Sequence, residues 1–138
     1  MGSKFKKVFN GTQSYRFSHL EKGAEYDLHF KIFKHRALMW ELERKVLDSI
    51  LPRYLSGEIN HFDFACGTGR ILHHLSSKVR TAVGIDVSRK MLEIALTKAP
   101  HAELICQDIT RSNVLGDRLF NLITAFRFFP NAEIELRK

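Results

Sequence analysis

The segment Phe62-Asp63-Phe64-Ala65-Cys66-Gly67-Thr68-Gly69-Arg70 constrains the fold of this chain more than any other segment. An apolar run leads into a turn with two glycines, and an apolar helical pattern begins directly after the turn. Glycine lets the backbone turn tightly and lets a ligand approach without meeting a Cβ atom. The start of the helix offers unpaired N–H groups and a partial positive charge. The segment therefore predicts a strand, a ligand-binding loop and a helix of an α/β fold.

Four apolar runs on both sides of this loop predict four strands, the last of them buried on both faces. Between the second and third runs, Ser88 is a good N-cap for a helix that Pro100 stops. Alternation of strands and helices is typical of a parallel sheet with helical crossovers. The sequence thus predicts one α/β domain over residues 59–138. The predicted strands are His61–Ala65, Val79–Ile85, Ala102–Cys106 and Phe120–Phe126.

Residues 1–58 are predicted to form an N-terminal arm and a helical lead-in. From Ala24 to Leu51 apolar residues recur at spacings of three and four, which indicates helix. Two offset series predict two helices, or one helix with a bend, and Pro52 is expected to end or kink the second part. We expect most aromatic residues here to lie in the core. The two series are Phe30, Phe33, Ala37 and Met39, Leu42, Val46, Ile50.

The bulk composition excludes several classes of protein. The chain has 138 residues, enough for one domain, with 22 Lys and Arg against 15 Asp and Glu, a net charge of +7. The basic residues are scattered without interleaved aromatics, so a small-molecule partner is favoured, although the charge keeps nucleic acid open. No apolar run approaches the roughly 20 residues of a membrane span, and the N-terminus lacks the apolar stretch of a secretory signal. We expect a cytoplasmic chain.

The cysteines and histidines do not form a metal or redox pattern. Cys66 and Cys106 lie inside apolar runs, and none of the seven histidines shares a ligand spacing with a cysteine or carboxylate. The sequence therefore predicts reduced thiols and no metal site.

The segment Val83-Gly84-Ile85-Asp86-Val87-Ser88 places a carboxylate at the tip of the second predicted strand. In parallel nucleoside-binding folds an acid there accepts hydrogen bonds from both ribose hydroxyls; the alternative is an acid that only caps a turn. A dinucleotide fingerprint would need a third glycine where Leu72 stands. A ligand without a pyrophosphate, with an amino acid on its ribose, removes that conflict. This favours S-adenosylmethionine over NAD.

Residues 62–129 resemble the class I S-adenosylmethionine-dependent methyltransferases, in the form with D-x-A-C-G-T-G-R in the glycine loop. Four family motifs appear in order over residues 60–131. The resemblance implies a Rossmann-like three-layer sandwich whose seven strands have the order 3-2-1-4-5-7-6. This chain supplies strands 3-2-1-4, so strand 4 is expected to be a long apolar edge. We therefore expect a truncated domain, or association through that edge with another polypeptide or an identical copy.

The resemblance also implies roles for individual residues. Asp86 is expected to bind the ribose hydroxyls and Val87 to cover one face of the adenine. Asn121–Phe129 matches the motif beside the transferred methyl group, where Phe126 contacts the cofactor and Arg127 faces the substrate or forms a surface ion pair. Residues expected at the methionine part are Asp63, Ala65, Cys66, Gly67 and Gly69; those expected at the adenine are Gln107, Asp108 and Ile109.

Two positions depart from the family pattern, and one residue invites a different function. Ala65 stands where the family has its first glycine, and Asn121 stands where an acid is often found. Cys66 has no neighbouring base, so it is interpreted as a small loop residue rather than a nucleophile.

The expected function is methyl transfer to a small-molecule or glycan-type acceptor, with no catalytic residue assigned. One alternative is a module that binds S-adenosylmethionine or a partner without catalysis. A second alternative is RNA methylation, which rests on the positive charge alone.

Overall fold

The computed structural model describes residues 23–111 and 113–137, so most of the predicted N-terminal arm lies outside the described residues. Five helices and four strands follow one another along the described chain. The helices are α1 (Ala24–Ile32), α2 (Lys34–Tyr54), α3 (Arg70–Leu75), α4 (Arg89–Lys98) and α5 (Ile134–Arg137). The strands are β1 (Asn60–Phe64), β2 (Thr81–Asp86), β3 (Glu103–Cys106) and β4 (Leu122–Thr124).

The strands form one parallel sheet in the order β3-β2-β1-β4, as predicted. Asp63 of β1 lies between Gly84 of β2 and Thr124 of β4 in the register of the sheet. Because the strands are parallel, their carboxyl ends meet at one edge, and the loops that follow them lie side by side. This edge carries the glycine loop and Asp86.

The two faces of the sheet are covered differently. Helices α2, α3 and α4 pack on one face, where Leu72 and Leu75 of α3 are fully buried. On the other face, Phe62 and Val83 pack against the segment 109–120, which contains no helix in its described residues. The predicted Rossmann-like sandwich is therefore confirmed, with an irregular segment as its third layer.

A glycine on β2 provides the close approach of helix to sheet. A Cβ atom on Gly84 would lie 2.7 Å from Leu72 Cδ1 and 2.9 Å from Cys66 Sγ, distances that well-packed atoms do not adopt. Leucine at position 72 is therefore compatible with tight packing, because the space comes from the strand rather than from a third glycine on α3.

The predicted fourth strand was wrong in its length and in its burial. β4 has three residues, and the side chain of Ile123 is 65% exposed. Phe120 lies before the strand and packs on Phe62 at 5.3 Å between ring centroids. Phe126 lies beyond the strand and packs with α2 and α3. Beyond the strand the chain enters a turn in which Arg127 has a left-handed backbone, with φ of 60°, and the predicted long edge is a short one.

Asn121 secures the start of β4 at the opposite edge from the glycine loop. Its Oδ1 accepts a hydrogen bond from the Asn60 amide at 2.7 Å, and its Nδ2 donates to the Glu58 carbonyl at 2.8 Å. The residue that departs from the family pattern therefore has a structural contact of its own, away from the cavity described below.

The lead-in forms two helices, one of the two predicted arrangements; of its aromatic residues expected in the core, Trp40 packs there partly buried, whereas Phe33 is exposed. The break is at Phe33, whose φ of −89° and ψ of 103° are extended and whose side chain is exposed. Pro52 lies inside α2, two residues before its end. The buried residues of α2 are Leu47 and Leu51, which pack on α3. The apolar series that predicted this helix is exposed: Met39, Leu42, Val46 and Ile50.

Candidate functional site

A cavity of about 790 Å³ opens at the carboxyl edge of the sheet. This volume lies within the range of roughly 300–1,000 Å³ that is typical of small-molecule sites. The loops after all four strands line one side, and helices α1 and α2 line the other. Three of the residues predicted to bind the cofactor, Asp63, Cys66 and Gly69, do not reach the lining. The predicted residues that line it are Ala65, Gly67, Asp86, Val87, Gln107, Asp108, Ile109, Phe126 and Arg127.

The glycine loop, residues 65–69, has a left-handed backbone at three positions. The φ angles of Ala65, Gly67 and Gly69 are 54°, 54° and 74°. Glycine adopts this region freely, whereas alanine there costs about 1–2 kcal/mol, so Ala65 occupies a position that favours glycine. The Cys66 amide donates to the Ile85 carbonyl at 3.0 Å, which ties the loop to β2.

Gly67 and Gly69 have different surroundings. Gly67 borders the cavity, and an added Cβ would make only an ordinary contact, 3.5 Å from Met91 Sδ. Gly69 faces α4, where an added Cβ would lie 2.9 Å from Ala95 Cβ. Gly69 therefore allows the loop to pack closely on α4, whereas Gly67 forms part of the cavity wall.

Asp86 ends β2 and holds the glycine loop. Its Oδ2 accepts a hydrogen bond from the Gly67 amide at 2.9 Å, and its Oδ1 accepts one from the Ser88 amide at 2.8 Å. The residue is 6% exposed and lines the cavity. Because each carboxylate oxygen has more than one lone pair, these contacts are compatible with further hydrogen bonds from hydroxyl groups. Asp86 thus combines the capping role with a position suited to a ribose.

Asp63 lies behind the glycine loop at one end of a buried chain of hydrogen bonds. The Thr124 hydroxyl donates to Asp63 Oδ1 at 2.7 Å and is 2.7 Å from His61 Nε2. Since the hydroxyl proton goes to Asp63, the Thr124 oxygen accepts from His61 Nε2–H. Asp63 Oδ2 and His61 Nδ1 are buried without a hydrogen-bond partner among the described residues.

Burial shifts the pKa of both titratable groups in this chain. The pKa of Asp63 is raised to about 7, chiefly by burial and to a smaller extent by Asp86, while the Thr124 hydrogen bond opposes the shift. Burial lowers the pKa of His61 to about 4, and His101 adds to the shift. A buried carboxyl with an unpaired oxygen is a polar group that a hydrogen-bond donor would stabilise.

The segment after β3 borders the cavity beside Asp86. The Gln107 amide donates to the Asp86 carbonyl at 3.1 Å, which sets the start of this segment. Asp108 Oδ1 accepts from the amide and the hydroxyl of Thr110, at 3.0 and 2.7 Å, and so forms a local turn. Ile109 packs partly into the core on the face of Phe62. The cavity therefore has polar and apolar groups side by side here.

Arg127 forms the ion pair that was one of its two predicted arrangements; it also lines the cavity, and its role toward the substrate stays a prediction. Its Nε donates to Glu43 Oε1 at 3.0 Å and its Nη2 donates to Glu43 Oε2 at 3.1 Å. Both side chains are 21% exposed. The paired geometry joins α2 to the loop after β4, and the left-handed φ of Arg127 adds backbone strain at the cavity.

The wall formed by α1 and α2 was not predicted. Glu25, Tyr26 and His29 of α1 fall on neighbouring positions of one helix face and line the cavity. Their spacing of three and four is also typical of any amphipathic helix, so the sequence carries no signal that separates a cavity wall from a solvated face. The residues of α2 in the lining are His35, Arg36 and Met39.

Cys66 has the surroundings of a structural residue. Its side chain is buried in the core with Leu72 and Leu92. Burial raises the pKa of the Cys66 thiol well above its usual range, and the nearby Asp63 and Asp86 carboxylates add to the shift. The thiolate is the reactive form of cysteine, so this environment disfavours a nucleophilic role.

The described part of the chain lacks two further features, a membrane-spanning helix and a cluster of metal ligands. No helix there combines the length and apolar content that a membrane crossing requires. Residues 23–111 and 113–137 also contain no group of three or more His, Cys, Asp or Glu placed to hold a metal ion.

Known proteins with the same architecture carry methyltransferase functions. A family described as a methyltransferase domain matches residues 62–137. The dTDP-3-amino-3,6-dideoxy-alpha-D-glucopyranose N,N-dimethyltransferase of Streptomyces fradiae is 33% identical over 110 residues, covering 80% of this chain and 37% of that protein.

Two solved structures share the fold. An S-adenosylmethionine-dependent methyltransferase from Clostridium acetobutylicum ATCC 824 has 25% identity and a TM-score of 0.61, covering 73% of this chain and 42% of that chain. An amino pentose methyltransferase from Micromonospora echinaspora, solved with S-adenosylmethionine bound, has 21% identity and a TM-score of 0.57, covering 73% and 40%. This chain therefore spans about two fifths of the length of these relatives.

The sheet order, the glycine loop and the acid at the tip of β2 define a Rossmann-like nucleoside-binding domain. The family match makes the class specific: the chain belongs to the methyltransferase-domain family. The predicted resemblance is confirmed.

Proposed function

We propose that this chain binds S-adenosylmethionine in the 790 Å³ cavity and serves methyl transfer to a small-molecule or glycan-type acceptor. One observation carries the proposal: the Gly67 amide and the Asp86 carboxylate meet at 2.9 Å in the wall of a ligand-sized cavity at the carboxyl edge of the sheet. Ligands of open parallel sheets bind at that edge.

The methionine part of the cofactor would lie against the glycine loop. Asp63 Oδ2 is buried without a partner among the described residues, and because Asp63 does not reach the cavity lining, it would hold the ammonium group of the methionine part only through a water molecule. Gly67 lets the ligand approach the backbone closely. Ala65, Cys66 and Gly69 would contribute through the shape of the loop.

The nucleoside would lie between β2 and β3. Asp86 would accept hydrogen bonds from the ribose hydroxyls, and its amide partners hold it in place for that role. Val87 and Ile109 would contact the adenine ring, while Gln107 and Asp108 supply polar groups at its edge. These residues fit a ligand with a ribose and without a pyrophosphate, which agrees with Leu72 in the position of a third glycine.

S-adenosylmethionine supplies an electrophilic methyl group: the S–CH₃ bond breaks as the acceptor lone pair forms the new bond, and the electron pair stays on sulfur, giving S-adenosylhomocysteine. The residues of this chain need mainly to align the acceptor and exclude water. A general base is required only for a hydroxyl or a protonated amine. None is assigned.

The acceptor would approach from the side of Phe126 and Arg127. The relative from Streptomyces fradiae is named for N,N-dimethylation of an amino sugar, which supports an acceptor of the size of a sugar. Arg127 is fixed by Glu43, so its guanidinium presents a defined polar surface at the cavity.

The two free thiols agree with a reducing, cytoplasmic location.

The test is binding followed by turnover. We expect saturable binding of S-adenosylmethionine without competition by NAD, and release of S-adenosylhomocysteine with amino-sugar or other small-molecule acceptors rather than with an RNA oligonucleotide. Competition by NAD would contradict the cofactor assignment. Release only with RNA would contradict the acceptor class, and binding without release for any acceptor would favour a non-catalytic module.

A further inference from the structure

A single carboxylate on α1 connects three parts of the molecule. Asp27 Oδ1 accepts a hydrogen bond from the Thr68 hydroxyl in the glycine loop at 2.7 Å. Asp27 Oδ2 pairs with Lys98 Nζ at the end of α4. The partners are 41 and 71 residues away in sequence, so neither contact is a local feature of the helix.

Thr68 connects Asp27 to the glycine loop at the cavity wall. It is 1% exposed and lies between Gly67 and Gly69, both of which have left-handed φ angles. The Gly67 amide in turn donates to Asp86. A change at Asp27 therefore acts on Thr68. The neighbour of Thr68 is Gly67, whose amide holds the Asp86 carboxylate.

Two apolar residues of helix α1 contribute little apolar burial. Leu28 and Ile32, two of its apolar residues, are 49% and 60% exposed. Its link to α2 is the extended residue Phe33 rather than continuous helix. Because apolar burial at these positions contributes little, the polar contacts of Asp27 have a large share in fixing the position of α1.

The other side of α1 faces the cavity. Glu25 and His29 are four residues apart and line it together, whereas Asp27 leaves the helix about 200° around from Glu25. One side of α1 thus contacts the proposed cofactor cavity while another side contacts the loop that would hold the same cofactor.

We propose that Asp27 is a positioning residue that fastens α1 over the cofactor cavity through Thr68, so that α1 and the glycine loop close on the cofactor together. The inference rests on the proposed function, because the cofactor is the ligand under α1. Lys98 holds the second oxygen of Asp27 and so orients the first toward Thr68. A merely structural contact would stabilise the fold without linking α1 to the ligand.

The variants separate the two contacts of Asp27. Thr68→Val removes the hydroxyl at nearly constant volume, and Thr68→Ser keeps it. Lys98→Met removes the ion pair and keeps the aliphatic stem. Glu41→Gln is the matched control, because it removes a charge from an exposed i,i+4 ion pair with Lys45 on the neighbouring helix α2. Circular dichroism checks that each variant is folded.

Two measurements are made with S-adenosylhomocysteine as the probe. In Thr68→Val we expect the dissociation constant to rise about tenfold, mostly through faster dissociation, because a hydrogen bond to a charged group is lost. Thr68→Ser restores most of the affinity, Lys98→Met lowers it about threefold, and Glu41→Gln leaves it unchanged. In the unmodified chain the ligand slows amide hydrogen exchange in residues 24–32, and in Thr68→Val this protection disappears.

The outcomes distinguish this inference from the proposed function. Absence of saturable binding by the unmodified chain overturns the proposed function and the inference with it. Normal binding by the unmodified chain, with equal dissociation rates in Thr68→Val and Thr68→Ser, overturns the inference alone. Ligand binding that leaves the exchange of residues 24–32 unchanged also overturns it. Should Thr68→Val fail to fold, Asp27→Ala replaces it, since it removes the acceptor of the Thr68 hydroxyl, and an unchanged dissociation rate there also overturns the inference.

Discussion

The two walls of the cavity are held in place by different forces. The wall formed by the glycine loop and the tip of β2 is fixed by backbone geometry, with left-handed φ angles and amide contacts to Asp86. The wall formed by α1 and α2 is fixed by side-chain pairs between residues far apart in sequence, 41 residues for Asp27 and Thr68 and 84 for Glu43 and Arg127.

The difference extends to the core beneath each wall. Behind the glycine loop, Leu72 is fully buried, whereas Leu28 of α1 and Leu42 of α2 are about half exposed. Few buried apolar contacts and a reliance on polar pairs are features of the more easily opened parts of proteins. One wall thus forms with the fold, whereas the other depends on the packing of Leu47 and Leu51 of α2 against α3 and on a few polar contacts beside the cavity.

The largest expected effect concerns Asp63, behind the first wall. Its pKa is raised to about 7 in the folded chain, so its contribution to stability is complete below about pH 4 and is lost as the pH rises through 7. Asp63→Asn removes this loss. The free energy of unfolding of the variant, relative to the unmodified chain, should therefore rise by on the order of 3–4 kcal/mol between pH 4 and pH 7. Urea unfolding across that range measures it.

Asp117→Asn, which removes an exposed carboxyl, is the control for that experiment. The buried His61 titrates in the opposite sense: its pKa of about 4 means that its contribution is complete above pH 6.5 and is lost as the pH falls toward 4. The two effects oppose each other in the unmodified chain. If the difference in free energy of unfolding between Asp63→Asn and the unmodified chain does not change with pH, Asp63 does not titrate as a buried carboxyl.

The next effect tests whether the first wall depends on close packing as well as on φ. Gly69→Ala should destabilise the chain by about 3 kcal/mol, because φ strain adds to overpacking against Ala95. Gly57→Ala is the matched variant: its φ is 89° and an added Cβ meets nothing within 4 Å, so about 1 kcal/mol is expected. Urea unfolding of both, and of Gly69→Ala with Ala95→Gly, measures the difference. Equal losses for the two single variants would rule out the packing role.

The second wall is tested by a double-mutant cycle on its ion pair. Glu43→Gln and Arg127→Gln should show a coupling energy of about 1–2 kcal/mol, because the contact is paired at two atoms and largely shielded. The exposed pair of Glu41 and Lys45 is the control, with a clearly smaller expected coupling energy. Similar values for both pairs would mean that the Arg127 contact does not fix the wall.

The smallest effect belongs to Ala65. Ala65→Gly should stabilise the chain by about 0.5–1 kcal/mol, because relief of the left-handed strain exceeds the added freedom of glycine in the unfolded chain. Thermal unfolding detects the change. A loss of stability would indicate that the methyl group of Ala65 makes a packing contact larger than the strain.

The same comparison explains what the sequence could predict. The glycine loop, Asp86 and the Ser88 cap were predicted because each lies in a short segment whose residue types have few alternative uses. The contacts of Asp27 with Thr68 and Lys98 could not be predicted, because they depend on how distant segments meet. The apolar series of α2 gave the correct helix, but a periodic pattern does not say whether its apolar side finds a neighbour.

The early end of β4 escaped prediction for a related reason. In a sequence, glycine is the usual indication of a left-handed φ. In the turn beyond β4 this φ falls on Arg127, whose residue type gives no such indication. An apolar stretch from Phe120 to Phe126 therefore looks like one strand, although only Leu122–Thr124 pairs with β1. Which residues hold the cofactor remains a prediction from the sequence, supported by the cavity.

The central claim is that the Asp86 carboxylate binds the ribose of the cofactor, and calorimetric titration tests it most directly. Asp86→Ala should weaken binding of S-adenosylhomocysteine by roughly 1.5–3 kcal/mol, through loss of charge-assisted hydrogen bonds. An analogue without the 2′-hydroxyl should bind more weakly than S-adenosylhomocysteine to the unmodified chain, and both ligands should bind equally to Asp86→Ala. This convergence separates a direct contact from damage to the loop that Asp86 also holds. Equal affinity of the unmodified chain and the variant, or an undiminished preference for the 2′-hydroxyl in the variant, would contradict the account.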